Sequence, residues 1–209
     1  PISPPSNTST EAHPYLRILQ WNSDRTLPNS ISHLLHYAND HQVDIITIQE
    51  AQTFGKGNAD FHLIHLHGYT YISAENSKVA MLIKNSTTAT ILRPELTWYS
   101  QNYNSMTITL DHDGTTYLIA NAYLPTGLDD ASLPTREIAS KQHDELFSRS
   151  LTHTHAIITM DANETTHQDD RISPQSQHLT LRPRALGSST MACYTKNFTD
   201  AHKFTNPHL

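Results

Sequence analysis

The sequence predicts a layered α/β domain with mixed, mostly antiparallel strands. Three observations predict it. Tyr15 to Ile48 reads as strand, helix and strand within roughly thirty residues, the opening unit of such a domain. A series of strands follows, with Asp113-Gly114 as a tight-hairpin signal between the last two. A late helix then leads into an apolar run, His155 to Met160, which stops at Asp161.

Element by element, Pro1 to Pro14 is rich in Pro, Ser and Thr and is expected to be a disordered leader. The domain is expected to occupy residues 15 to 209. Tyr15 to Trp21 alternates apolar and polar residues, as a strand does. Pro28-Asn29-Ser30 opens a helix with Ile31, Leu34, Leu35 and Ala38 on one face, at i, i+3, i+4 and i+7. Val43 to Ile48 is a short apolar run rich in β-branched residues, which suits a strand buried on both faces. Strands are then expected at Thr70 to Ser73, Val79 to Lys84, Ala89 to Arg93, Ser105 to Leu110 and Thr116 to Tyr123. A helix follows from about Thr135 to Ser150, with Ile138, Ala139, Leu146 and Phe147 on its apolar side. A short helix is expected from Ser173 to Leu181, since Ser173-Pro174 suits a cap and first position.

Composition narrows the function classes. The chain has 209 residues, 36% hydrophobic and 16% charged, within the globular range and enough for a single core. A formal charge of -6 argues against coating nucleic acid by charge alone. That average hides an asymmetry. Arg171, Arg182, Arg184, Lys196 and Lys203 face one acid, Asp200, so the last 39 residues carry +4 and the rest -10. A basic tail beside an acidic body suits a polyanionic substrate, and it equally suits a solvated tail. A single cysteine, Cys193, excludes an internal disulfide and favours an intracellular, reducing setting, nuclear or cytoplasmic. No apolar run approaches the ~20 residues that span a bilayer, so no membrane partner is expected. The chain opens on Pro1, which reads as a fragment, a processed product or part of a longer reading frame.

The chemistry gathers where strands stop. Glu50 ends a buried run, where a carboxylate calls for a cation or a donor, although a strand-end acid also serves as a helix cap. Asn22 and Asp24 lie two apart on an extended segment, so their side chains project on one side. They read as an amide fixing a phosphate or carboxylate beside a second metal ligand, or as an Asx turn. Asp161 and Asn163 repeat that arrangement. The acid could take a proton from water while the amide orients that water or the phosphate, and again a turn is the alternative. Tyr123, just before Leu124-Pro125, could hydrogen-bond a phosphoryl oxygen or be an interior tyrosine with a satisfied hydroxyl.

Taken together, these blocks resemble the endonuclease/exonuclease/phosphatase superfamily over roughly residues 15 to 170. Leu16 to Asp24 is similar to its opening strand, which ends in Trp-Asn with an acid two residues later in the apurinic-endonuclease branch. Asp44 to Glu50 is similar to the motif whose Glu after Gln binds Mg2+. Ala120-Asn121-Ala122-Tyr123-Leu124-Pro125 resembles the tyrosine-proline motif, and Met160-Asp161-Ala162-Asn163 resembles Gly-Asp-x-Asn with Met for Gly. The first motif most resembles the endonuclease domains of non-LTR retrotransposons. Ala51 departs from the threonine that often follows the motif Glu. The family's closing Ser-Asp-His is absent, and Phe198-Thr199-Asp200 resembles the segment after its last helix, so the closing strands are expected to be missing.

The resemblance implies a deoxyribonuclease I-like α/β sandwich and a Mg2+-dependent phosphodiesterase that nicks DNA, with Mn2+ as a substitute. It implies Glu50 and Asp24 as metal ligands, Asp161 as the group that activates or aligns water, and Asn163, Asn22 and Tyr123 around the phosphate. It also implies a downstream reverse transcriptase domain in the parent chain. The alternatives are a phosphomonoesterase on the same scaffold, or a truncated copy without catalysis. Fifteen histidines suggest one more site: in Phe61 to His67, read as a strand, His65 and His67 would share a face suited to a transition metal, or be scattered surface residues. No Gly-x-Ser-x-Gly and no phosphate-binding Gly-rich loop is present.

Overall fold

A parallel pair of strands joined by a helix opens the fold. In the computed structural model, which describes residues 15–24, 27–51, 59–86, 89–92, 97–100, 104–123, 133–161 and 198, β1 (Ile18–Asn22) lies beside β2 (Ile45–Gln49), with α1 (Leu27–Asp40) between them in sequence. Leu27, Ile31, Leu34, Leu35 and Ala38 are all buried and form one stripe along α1, the 3.6-residue pattern of a helix laid on a sheet. Next come α2 (Ala59–Leu66), β3 (Tyr69–Ile72) and β4 (Val79–Lys84). Strand β4 pairs antiparallel with both β2 and β3, giving a first sheet in the order β1-β2-β4-β3.

The second sheet contains β5 (Thr90–Ile91), β6 (Trp98–Tyr99), β7 (Ser105–His112), β8 (Thr115–Tyr123) and β9 (Ala156–Asp161), with α3 (Leu133–Leu151) inserted before β9. Its order is β5-β7-β8-β9, with β6 also on β7, and β8 and β9 run parallel. The β7–β8 turn uses Asp113 at φ 51 and Gly114 at φ 74, the left-handed pair that a two-residue hairpin requires.

Alternation along the central strands builds three apolar layers. Ile45, Val79, Met81 and Ile83 of the first sheet meet Met106, Ile108, Leu110 and Ile119 of the second. The opposite face, with Ile46, Ile48, Ala80 and Leu82, packs under α1 and α2. The outer face of the second sheet, Ala120 and Ala122, packs under Leu146 of α3, with Phe198 against Phe147. Each fully buried isoleucine contributes about 1.5–3 kcal/mol relative to exposure. The result is helices, sheet, sheet, helix: the expected α/β sandwich.

Some expectations change. The first strand begins at Ile18, and Tyr15 is 72% exposed. The run Phe61 to His67 is mostly helix rather than strand, because Ile64 buries against α1 and the sheet with Phe61 and Leu63 half-buried beside it. His65 and His67 therefore share no strand face. His67, just past α2, lies edge-on to His36 of α1 at 4.9 Å and within 2.9 Å of the Asn39 amide. Strand β5 is only two residues long, and β6 was not expected. On α3, Ile138 is exposed, and the inner stripe instead runs Gln142, Leu146 and Ser150 at i, i+4 and i+8. That stripe takes polar residues because Gln142 donates to Ser105 Oγ and Ser150 to Leu146 O. The leader, the helix expected at Ser173 to Leu181 and the basic tail lie outside the described residues, Phe198 excepted.

Candidate active site at the strand ends

Two parallel pairs, β1 with β2 and β8 with β9, bring four carboxyl ends to one edge of the sandwich. Asn22 is level with Gln49 in the first pair and Tyr123 with Asp161 in the second. The Gln20 side-chain amide donates to Met160 O at 2.8 Å, tying β1 of one sheet to β9 of the other. Residues that leave these ends are therefore held close although they are far apart in sequence.

Asn22 sits at the centre. Its Nδ2 donates to Glu50 Oε1 at 3.2 Å and to Asp161 Oδ2 at 2.5 Å, so one amide bridges carboxylates from both sheets. Its Oδ1 accepts from the Asp24 N–H at 2.9 Å, which closes an Asx turn. The turn and the site coexist, one amide serving both. Ser23, buried next to it, fixes the other side: its N–H donates to Gln49 O, and its hydroxyl reaches Gln49 O and Glu50 O.

Glu50 and Asp24 both adopt left-handed backbone, φ 51 and φ 44. For residues with a side chain that conformation costs of order 1 kcal/mol and persists where the surroundings enforce it. Here the Ser23 hydrogen bonds and the Asx turn do so. Glu50 turns away from the strand at the point where it would otherwise continue along β2.

Of the residues singled out from sequence, Asn22, Glu50 and Asp161 come together through side chains. Asp24 joins through its backbone and its side chain is exposed. Tyr123 is 7% exposed, in the layer between the sheets beside Asp161, and its N–H donates to Asn104 O. Asn163 lies outside the described residues.

The donor set is two carboxylates and an amide. Among the described residues no group of three or more His, Cys, Asp or Glu side chains gathers for a metal. Such a sparse, all-oxygen set fits a hard cation that keeps several waters and takes substrate oxygens, as Mg2+ does, better than a site that encloses its ion.

Two features escaped the sequence reading. Beneath Glu50, the buried Gln49 amide donates to Asn121 Oδ1 at 2.6 Å, and Asn121 Nδ2 donates to Ile48 O and Ala80 O. A polar residue inside each of two apolar strands was the available signal. The second is Lys78, whose ammonium lies 5.6 Å from the Tyr123 ring centroid. Nothing local in the sequence marks it.

No protein-family model matches the chain, and no curated protein sequence does. Solved structures do match. An AP endonuclease from Archaeoglobus fulgidus aligns over 93% of this chain and 76% of its own, with TM-score 0.63 and 17% identity. The endonuclease domain of TRAS1, a telomere-specific non-LTR retrotransposon, aligns over 87% and 70%, with TM-score 0.56 and 16% identity. The 3′ phosphatase NExo from Neisseria, bound to a product DNA hairpin, aligns over 78% and 64%, with TM-score 0.57 and 15% identity. The chain spans less than two thirds of the NExo structure and of a D. rerio TDP2 structure, 64% of each. These likenesses, at 15–17% identity, are likenesses of fold, and the chain has the deoxyribonuclease I-like two-sheet α/β sandwich.

Proposed function

We propose that the chain is a Mg2+-dependent phosphodiesterase that nicks DNA, derived from a non-LTR retrotransposon reading frame. The observation that carries this reading is the Asn22 amide joined to Glu50 and Asp161 at strand ends of opposite sheets. Likeness in fold to an AP endonuclease, the TRAS1 endonuclease and a DNA-bound phosphatase supports it.

Glu50 and Asp24 would hold Mg2+, or Mn2+ in its place. When bound, the cation supplies positive charge at the phosphate and eases ionisation of water. Asp161 accepts a proton from the attacking water, whose oxygen bonds phosphorus as the bond to the 3′ oxygen breaks. The departing oxygen takes a proton from solvent and ends as a 3′ hydroxyl. Asn22 keeps the two carboxylates in register, Asn163 positions the phosphate, and the Tyr123 phenol donates to a phosphoryl oxygen as charge develops. In a retrotransposon that 3′ hydroxyl primes synthesis by a downstream reverse transcriptase domain.

The likeness to a 3′ phosphatase favours one second reading, hydrolysis of phosphomonoesters. Supercoiled plasmid and a soluble phosphate monoester, each with Mg2+, Mn2+ or chelator, separate the two. Metal-dependent conversion of plasmid to open circles, lost in Glu50→Gln together with Mn2+ binding by relaxation, is the expected result. Faster turnover of the monoester would favour the phosphatase, and a folded protein inert on both would leave a copy without catalysis.

A further inference from the structure

We propose that Lys78 is a substrate-binding residue of this site, its ammonium placed to hold a phosphate of the same strand beyond the scissile one; the proposal rests on the nuclease reading above. The first observation is register. Strand β2 pairs with β4 so that Gln49 lies opposite Val79, the last pair of the ladder, and Glu50 and Lys78 are the residues just outside it. Past the strand end the Ala51 N–H donates to Lys78 O at 3.0 Å, one residue out of that register, which holds the Lys78 backbone beside the turn at Glu50 and Ala51.

The second observation is the direction of the side chain. Lys78 is exposed, and its ammonium lies over the ring of Tyr123, which belongs to the other sheet. Lys78 therefore starts beside the turn at Glu50 and reaches across to Tyr123 of the other sheet. Among the described residues the other cations resting on rings, Lys84 over Tyr69 and Arg149 over Trp98, stack on residues that are not members of the site.

The third consideration is charge. Glu50 and Asp161 give the site two carboxylates, which repel a nucleic-acid backbone wherever no cation intervenes. A bound divalent ion meets the scissile phosphate but leaves its neighbours unscreened, and a flexible ammonium at the rim meets one of those. At 5.6 Å the ring contact is near the ~6 Å limit of a cation–π interaction, and the site is exposed, so the ammonium gives up little in turning to a phosphate. The competing account is a solvated lysine resting on an aromatic face, with no part in binding.

Binding and turnover of wild type, Lys78→Ala and Lys78→Arg on duplex DNA distinguish these accounts. Binding is read by fluorescence anisotropy of a labelled duplex in Ca2+ across a salt series, independently of chemistry. Lys78→Ala should reduce the slope of log affinity against log salt by about 0.9, one phosphate contact, and raise KM about 3–10-fold with kcat nearly unchanged. Lys78→Arg should retain the slope. Hydrolysis of a small diester with a single phosphate should not respond to either substitution. Equal slopes and equal KM for wild type and Lys78→Ala would overturn the proposal, as would a loss confined to kcat. A wild type that binds DNA with the Lys78-dependent slope but never cuts it would remove the nuclease reading and keep Lys78 as a phosphate contact. A wild type that does not bind DNA removes both.

Discussion

Gln49 and Asn121 meet side chain to side chain between the two sheets, the Gln49 amide donating to the Asn121 carbonyl oxygen at 2.6 Å. Both are fully buried, and Asn121 also caps two carbonyls, Ile48 O and Ala80 O, on the facing sheet. The pair is a polar rivet in an apolar layer, directly under the strand ends that carry the site. Asn121→Ala removes partners from several buried groups at once, and each unsatisfied group costs about 1–3 kcal/mol. A loss of about 2–4 kcal/mol in urea denaturation is expected. Joint replacement of Gln49 and Asn121 by leucine should cost less than the two single changes added, because it removes both members of the pair. Additivity would show that the two amides act independently.

Asn22→Asp tests the bridge between carboxylates. The change removes a donor and adds a third negative charge beside Glu50 and Asp161. In chelator the variant should be less stable than wild type by about 1–3 kcal/mol. Mg2+ should restore part of that, since an ion that binds the folded state stabilises it by mass action. Melting temperatures with and without Mg2+ read the effect. A variant as stable as wild type in both buffers would remove the bridge from the account.

Asp161→Asn tests the chemistry. The substituted amide still offers a carbonyl oxygen to Asn22, so the circular dichroism spectrum should be unchanged. Nicking should fall ~10²–10⁴-fold, the usual contribution of a general base. Nicking within a few-fold of wild type would take Asp161 out of the proton transfer.

Alkaline stability has a definite direction. Burial, and then the nearby Asp44 charge, push the Tyr69 phenol up to about 12. Burial, and then Tyr71, do the same for Tyr99, and burial also raises Tyr71 itself. Between pH 10 and 12 the folded protein keeps protons that the unfolded chain has released. Stability from these groups is therefore complete below about pH 10 and is lost as pH rises towards 12. Denaturation midpoints at several pH values should fall across that window, and the phenolate absorbance should rise in step with unfolding. Tyr69→Phe, which also gives up the hydrogen bond to Val43 O, should flatten the fall.

Strands and helices with a clear period were legible in the sequence. The strand Val79 to Lys84 has the bounds expected of it, and the stripe from Ile31 to Ala38 faces the core as the spacing demands. Short or mixed segments were not. Trp98–Tyr99 is too brief to show a period. Histidine alternating with apolar residues after Phe61 imitates a strand, yet Ile64 has a helix and a sheet to pack on. Part of the candidate site, Asn22, Glu50 and Asp161, was legible as residue types at strand ends, but its geometry was not. Asn22 meets partners 28 and 139 positions away, and such pairings are decided by the packing of two sheets. Lys78 was invisible for the same reason: its relevance comes from a ring on the opposite sheet.

Because Glu50 belongs to one sheet and Asp161 to the other, the amide that joins them also gauges how those sheets sit. Each sheet could keep its own ladder of hydrogen bonds and still lose the site, if the layer between them loosened or slid by one residue. On the proposed reading, catalytic competence would be a property of the interface between two half-structures and of neither half. In a partly disordered state with strands and helices intact but side-chain packing lost, function should disappear ahead of secondary structure. The same dependence would make activity the more sensitive reporter of substitutions in the apolar layer, including those at Met81, Met106 and Ile119, which never approach a phosphate.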